Sequence, residues 1–227
     1  DGGYGKTFDA SVRGEVILCG GAINSPQLLQ LSGIGPGELL REHGLEVLHD
    51  APGVGENLQD HYQSRSVYEC NRPITVNDEV RSLPRKFLAG LQWLILRDGP
   101  LTVSAGQVGV FTKTRAELAS PDIQFHFIRF SSPGPGHALH QFSGFTVSVC
   151  QLRPESRGYV RIRSGSALEK PIMQPYYLDA EQDRQTMVDG LKVSRHIMSQ
   201  PAIAKLVRRE VEPGPDCVSD GALLEYV

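Results

Sequence analysis

Apolar residues along the chain change their spacing near residue 60. Before that point they come in short blocks separated by glycine and proline. Val16-Ile17-Leu18-Cys19 is an unbroken apolar run, which predicts a strand over 15–19 buried on both faces. Gly20 and Gly21 follow, where the chain must turn or let a ligand approach its backbone. Ser25 occupies the position of a helix N-cap with Pro26 as first helical residue, and Leu28, Leu29 and Leu31 supply an apolar face. The run 32–36, Ser-Gly-Ile-Gly-Pro, ends that helix. A second short helix is predicted over 37–43, closing on Gly44, and a half-buried strand over 45–48. Residues 5–12 resemble one arm of a hairpin whose turn is the glycine cluster 1–5.

Beyond residue 61 the periods lengthen. Phe87, Leu91, Leu94 and Ile95 fall at helical spacing within 83–97, and Gly99-Pro100 stops that helix. Strands are predicted over 107–112, 122–130, 145–152 and 158–163. In the third, Phe145, Val147 and Val149 share one face and Thr146, Ser148 and Cys150 the other. The turn-rich stretch 153–158 predicts antiparallel pairing of the last two strands. A final helix over 181–200 presents Met187, Gly190, Leu191, Ser194, Ile197 and Met198 inward. Strands in succession without alternating helices predict an antiparallel sheet with helices on one side. The fold expected is therefore α/β plus α+β, with domains at 1–61 and 62–227 joined near the Pro- and Gly-rich run 51–55.

Composition narrows the function classes. A net charge of −3 leaves no basic stripe for nucleic acid. No apolar run approaches the roughly 18–20 residues of a membrane span. The expected compartment is the cytoplasm. Cys19, Cys70, Cys150 and Cys217 are widely spaced and read as reduced, mostly structural thiols, with Cys19 and Cys150 in buried strands. No oligomeric state is assigned.

The letters add more than the pattern. Residues 21–35, GAINSPQLLQLSGIG, resemble the second signature of the glucose–methanol–choline (GMC) flavoprotein oxidoreductases. Residues 52–61, PGVGENLQDH, are similar to the segment these enzymes carry next. Three later landmarks fit as well: Pro121 to Phe125, Ser156-Arg157-Gly158 and Pro171 to Leu178. The resemblance runs to about residue 200 and is strongest to the choline-dehydrogenase-like branch. It implies the tail of an FAD-binding, Rossmann-like domain followed by a substrate domain. It also implies FAD as cofactor and a small-molecule alcohol substrate. The alcohol's carbinol hydride would pass to flavin N5 while a His takes the hydroxyl proton. Gly20, Gly21, Ala22 and Ser25 are the candidate cofactor-binding residues, with the glycine turn near the adenosine half of FAD.

Two family features have no counterpart here: no G-x-G-x-x-G follows a strand, and no His-Pro stretch carrying the family's catalytic His is present. The chain starts at Asp1 and stops at Val227, so the expectation is an interior fragment, inactive alone, with no catalytic residue assigned. Asn57, Gln59, Asp60 and His61 form a polar cluster, in which His61 is expected to hold segments together rather than act as base. His137 and His140 lie on a loop and lack carboxylate or thiolate partners for a metal, so no metal site is expected. His126 alternates with Phe125 and Phe127, toward the substrate side or a polar neighbour. The rival readings are a non-redox, lyase-like flavoprotein of the same family and a non-enzymatic binding module on the antiparallel sheet.

Overall fold

The computed structural model describes residues 10–102, 104, 106–134 and 136–227, so the expected hairpin turn and most of its arm lie outside the described residues. In chain order the first elements are α1 (Gly21–Leu31), β1 (Ile34–Gly35), α2 (Gly37–Glu42), β2 (His49–Asp50) and β3 (Glu56–Leu58). Next come β4 (Gln63–Cys70), α3 (Val76–Arg81), α4 (Leu83–Leu96), a 3₁₀ turn at Pro100–Thr102, β5 (Gly106–Thr112), β6 (Ile123–Ile128) and β7 (Gly144–Gln151). The chain finishes with β8 (Gly158–Arg161), β9 (Ile172–Gln174), α5 (Glu181–Met198), α6 (Pro201–Ala204), β10 (Val207–Glu212) and α7 (Asp220–Tyr226). These form two compact units, Asp1–Leu58 with Arg157–Pro175, and Gln59–Ser156 with Tyr176–Val227. A division into 1–61 and 62–227 misses that 157–175 returns to the first unit.

The first unit departs from the periodic reading in three places. Residues 15–19 form no strand, and Val16 and Ile17 are 70% and 75% exposed. A strand buried on both faces needs a hydrogen-bonded neighbour on each side, and no described strand pairs with this run. The strand expected at 45–48 is irregular. Pairing starts only at His49, where β2 runs parallel to β1, after Gly33 O has accepted the N–H groups of Leu48 and His49. The third departure is β8, which pairs with β3 and β9 and not with β7. Asp183 explains it: its carboxylate captures the N–H groups of Glu155 and Ser156, so the turn leads away instead of folding back. Gly158 fits β8 against β9 so closely that a Cβ there would lie 1.9 Å from Gln174 O. By contrast α2 forms as its apolar and capping letters predict, with Leu40 buried and Gly44 in the left-handed conformation after the cap (φ +70°).

The second unit is an antiparallel sheet of order β10-β4-β7-β6-β5. Strands β5, β6 and β7 lie where alternation places them. Strands β4 and β10 are additions to the sequence reading. Directly paired residues share a face, so Ser66, Tyr68, Val147, Val149, Phe125 and Phe127 point one way. Against this face packs α5, burying Met187, Leu191 and Met198 with Ile123 and Phe125. Each such side chain contributes about 1.5–3 kcal/mol when fully buried. A Cβ on Gly190 would stand 2.7 Å from Val149 Cγ2, which is why helix and sheet approach so closely there.

Candidate functional site

The turn that begins α1 is built differently from its sequence prediction. Helix α1 starts at Gly21, not after Ser25, and Pro26 lies inside it. Ser25 is therefore not the N-cap. Its Oγ, one turn in, accepts the N–H of Gly20 at 3.0 Å and fastens the preceding chain back onto the helix. Gly21 takes φ +73°, and a Cβ on it would meet nothing within 4 Å. The first N–H groups of a helix have no intrahelical partner and carry partial positive charge. With no acidic residue in the first turn, and with Gly21 and Ala22 exposed, this end suits a polar or anionic part of a ligand such as FAD.

What holds that turn in place was not legible from its leucines. Leu28 is 41% exposed, and the buried residues of α1 are Gln27 and Gln30. Gln30 Nε2 donates to Val54 O and Val160 O, each at 3.0 Å, and its Oε1 accepts the N–H of Ile162 at 2.9 Å. Gln27 Nε2 donates to Glu169 O at 2.8 Å. Two amide side chains thus dock the helix on β8 and its neighbours by hydrogen bonds, each worth about 1 kcal/mol net and more to lose when buried. Gly55 (φ +86°) completes the joint, because a Cβ there would be 2.1 Å from Val160 O.

In the second unit the sheet face turned away from α5 is polar. Gln63 pairs with Cys150, Arg65 and His126 with Ser148, and Gln124 with Cys150, so these side chains share one surface. Ser148 Oγ donates to Gln63 Oε1 at 2.9 Å. His126 Nδ1 is enclosed and makes no hydrogen bond, an acceptor or donor left for a ligand to satisfy. His126 therefore stands beside a polar neighbour on this face. The loop at 131–142 is held by Asn77, wholly buried, which donates to Ser131 O and His140 O and accepts the N–H of Ser131, all at 3.0 Å.

Asp60 belongs to the same unit. Its Oδ2 accepts the hydroxyl of Tyr177, its Oδ1 accepts the His61 N–H at 2.8 Å, and the Tyr62 and Tyr177 rings lie 5.2 Å apart. The Asp60 bond, with burial and the carboxylate's charge, pushes the Tyr177 phenol up to about 12. Burial and the same charge push the Cys150 thiol up to about 11. A proton held that firmly makes Tyr177 a donor, not a base. The tie between segments runs through Asp60, whereas the His61 imidazole is exposed. All four cysteines are free, and Cys19, expected in a buried strand, is exposed. His137 is exposed and the His140 ring stacks on Phe142, and among the described residues no group of three or more His, Cys, Asp or Glu gathers to hold a metal.

Residues 2–63 and 154–226 each match a family model described as GMC oxidoreductase. The chain is 40% identical over 223 residues to an oxygen-dependent choline dehydrogenase of Photobacterium profundum, covering 98% of this chain and 39% of that protein. It is 36% identical to an alcohol dehydrogenase [acceptor] of Pseudomonas putida over 96% of this chain and 39% of that one. The chain thus spans about two-fifths of the length of these relatives. Among solved structures, pyridoxine 4-oxidase from Mesorbium loti superposes with a TM-score of 0.72 at 25% identity, covering 92% of this chain and 37% of that one. A fungal aryl-alcohol oxidase superposes with a TM-score of 0.79 at 24% identity over 97% of this chain and 44% of that one, a likeness of fold. With signature helix, sheet and both flanking matches in agreement, the chain belongs to the GMC oxidoreductase family.

Proposed function

We propose that this chain is the signature-helix and substrate-domain portion of an FAD-dependent enzyme that oxidises a small alcohol to a carbonyl compound. The observation that carries the reading is the 36–40% identity, across nearly the whole chain, to choline and alcohol dehydrogenases. The exposed backbone of Gly21 and Ala22 would hold a polar part of FAD, with Gly20 and Ser25 fixing the turn. Bound FAD supplies the hydride acceptor for the carbinol C–H. The chain's own residues do the rest: Gln63, Gln124, His126 and Ser148 offer hydrogen-bonding groups to a substrate hydroxyl, and Tyr177 offers a firmly held proton to Asp60. No side chain here is placed as general base, and the 227 residues alone are proposed not to turn over.

The test is anaerobic. The natural full-length protein, purified with its flavin, is mixed with choline and with a panel of primary and secondary alcohols while absorbance near the usual flavin band is followed. Bleaching by at least one alcohol supports the reading. A bound flavin that no alcohol reduces, or a protein that retains no flavin, overturns it.

A further inference from the structure

We infer that Arg65 sets the substrate class: the alcohol this protein oxidises carries an anionic oxygen group, a carboxylate or a phosphate, which the Arg65 guanidinium holds. The inference rests on the oxidation reading above and narrows it. Arg65 on β4 and His126 on β6 both pair with Ser148 on β7, so the three side chains form one row on the face turned away from α5. Gln63, Cys150 and Gln124 form the next row. All of these residues belong to the second unit.

That surface is rich in donors. Ser148 Oγ donates to Gln63 Oε1 at 2.9 Å, which occupies the acceptor end of the amide and leaves its Nε2 to donate outward. Arg65 is half-buried, and among the described residues its guanidinium makes no hydrogen bond or ion pair. A loop closes over it: a Cβ on the buried Gly134 would stand 3.9 Å from Arg65 Nη2 and 3.1 Å from His137 Nδ1. Asn77 anchors this loop through Ser131 and His140, so the guanidinium lies against fixed structure. The carboxylates around the face are engaged elsewhere or unpaired with it. Glu69 is held by Arg208 and Arg209 at 2.8 and 2.7 Å. Asp60 accepts the Tyr177 hydroxyl and the His61 N–H. Glu212, opposite Val67 past a register shift in β10, makes no ion pair with Arg65.

In the same row His126 Nδ1 is enclosed and unpartnered. Two unsatisfied groups one strand either side of Ser148, with backbones about 10 Å apart, suit one small molecule with two polar ends. Its hydroxyl lies toward His126 and its anionic group toward Arg65, whose planar fork matches a pair of oxygens. A quaternary ammonium alcohol is the poor match, because it accepts no hydrogen bond and is repelled by the guanidinium.

The natural full-length protein with its flavin is tested anaerobically on 1-propanol against 3-hydroxypropanoate, glycerol against glycerol 3-phosphate, and choline. In one pair the anionic alcohol should reduce flavin with a kcat/KM at least about tenfold above its neutral counterpart and above choline, and which pair does so separates carboxylate from phosphate. Arg65→Gln should cut that advantage about tenfold to a hundredfold, chiefly through KM. Calorimetry with propanoate and with inorganic phosphate needs no turnover: one of them should bind the parent, and bind Arg65→Gln at least about tenfold more weakly. Oxidation without preference for either anionic alcohol overturns the inference and leaves the oxidation reading standing. A preference that survives in Arg65→Gln while melting temperature falls also overturns it, for then Arg65 is the ion-pair partner of another segment. If no alcohol bleaches the flavin, the oxidation reading fails, and the anion site stands or falls on the calorimetry.

Discussion

Helix α1 in the first unit turns glutamines inward and a leucine outward, while α5 in the second buries Met187, Leu191 and Met198 under a sheet. Both helices dock on strands, by opposite physics. Burial of apolar surface is non-directional, so what places α5 along this face is close packing, with Gly190 against Val149, more than the aim of any one apolar contact. Hydrogen bonds from a buried amide are directional, so Gln30 fixes α1 against β8 in one position. A turn proposed to present backbone N–H groups to a ligand would benefit from that rigidity. The sheet of the second unit gains its rigidity from a dense core instead.

The second unit has polar joints too, and loss of the one at Asp183 should have the largest effect. Asp183 is buried and accepts from Gln151 Nε2 at 2.7 Å, Glu155 N at 2.8 Å and Ser156 N at 2.9 Å. Asp183→Asn places an N–H₂ where only acceptors fit, and we expect a loss of about 3–5 kcal/mol in denaturant unfolding. Burial by itself would raise this carboxyl, but the hydrogen bonds from Glu155, Ser156 and Gln151 hold it below its ordinary 3.8. A folded-state value below the unfolded one means the stabilisation is complete above the unfolded pKa and disappears as pH falls through the folded one. The parent should therefore lose stability below about pH 4, and the acid limb of the Asn variant should be shallower. Equal slopes would show that the carboxylate is not what holds the turn.

The matching test in the first unit is Gln30→Leu. The volume is nearly kept, but Val54 O, Val160 O and Ile162 N–H lose their partner in the interior. A loss of about 2–4 kcal/mol is expected, with weaker flavin retention in the full-length protein because the α1 turn is no longer fixed. A variant as stable as the parent would mean that α1 is held by apolar contact after all.

These buried amides and carboxylates explain what the sequence reveals and what it hides. Helices α2, α4 and α5 and strands β5 to β7 are legible because apolar side chains recur at the period of the element. Strand β4 is not, since its inward positions include Ser64 and Ser66 and the hydrophobic alternation is broken. Gln30, Asn77 and Asp183 carry no period at all, for one polar residue with several long-range partners looks like a surface residue in one dimension. The family resemblance supplied the letters of the signature, Gln27 and Gln30 among them, without their task. The run 15–19 fails differently: its apolar letters are those of a buried strand, but pairing depends on neighbours, and no described strand pairs with it. The turn proposed for the cofactor was singled out by its glycines, while its geometry, with Ser25 reaching back to Gly20, appears only in the folded chain.

A smaller effect is expected at Asp60. Tyr177→Phe removes one hydrogen bond at an exposed site, worth about 0.5–1 kcal/mol. The parent's phenol, raised to about 12, favours the folded state below its ordinary 10.0, and that contribution fades as pH rises through the folded value. In an alkaline absorbance titration the Phe variant should lack one tyrosinate titrating near that upper value. An unchanged titration curve would remove the Asp60–Tyr177 bond from the account.

Leu28→Ser should do least, and it separates the two modes of docking most cleanly. If α1 were docked through a leucine face, truncating Leu28 to a polar side chain would cost about 2–5 kcal/mol, as Leu191→Ala should in α5. Leu28 is 41% exposed, while Leu191 is 1% exposed. With a large part of its side chain already in water and none of it in the core, the serine variant should unfold within about 0.5 kcal/mol of the parent. A loss near that of Leu191→Ala would mean that Leu28 is covered in solution, and the amide-docked helix would have to give way to an apolar one.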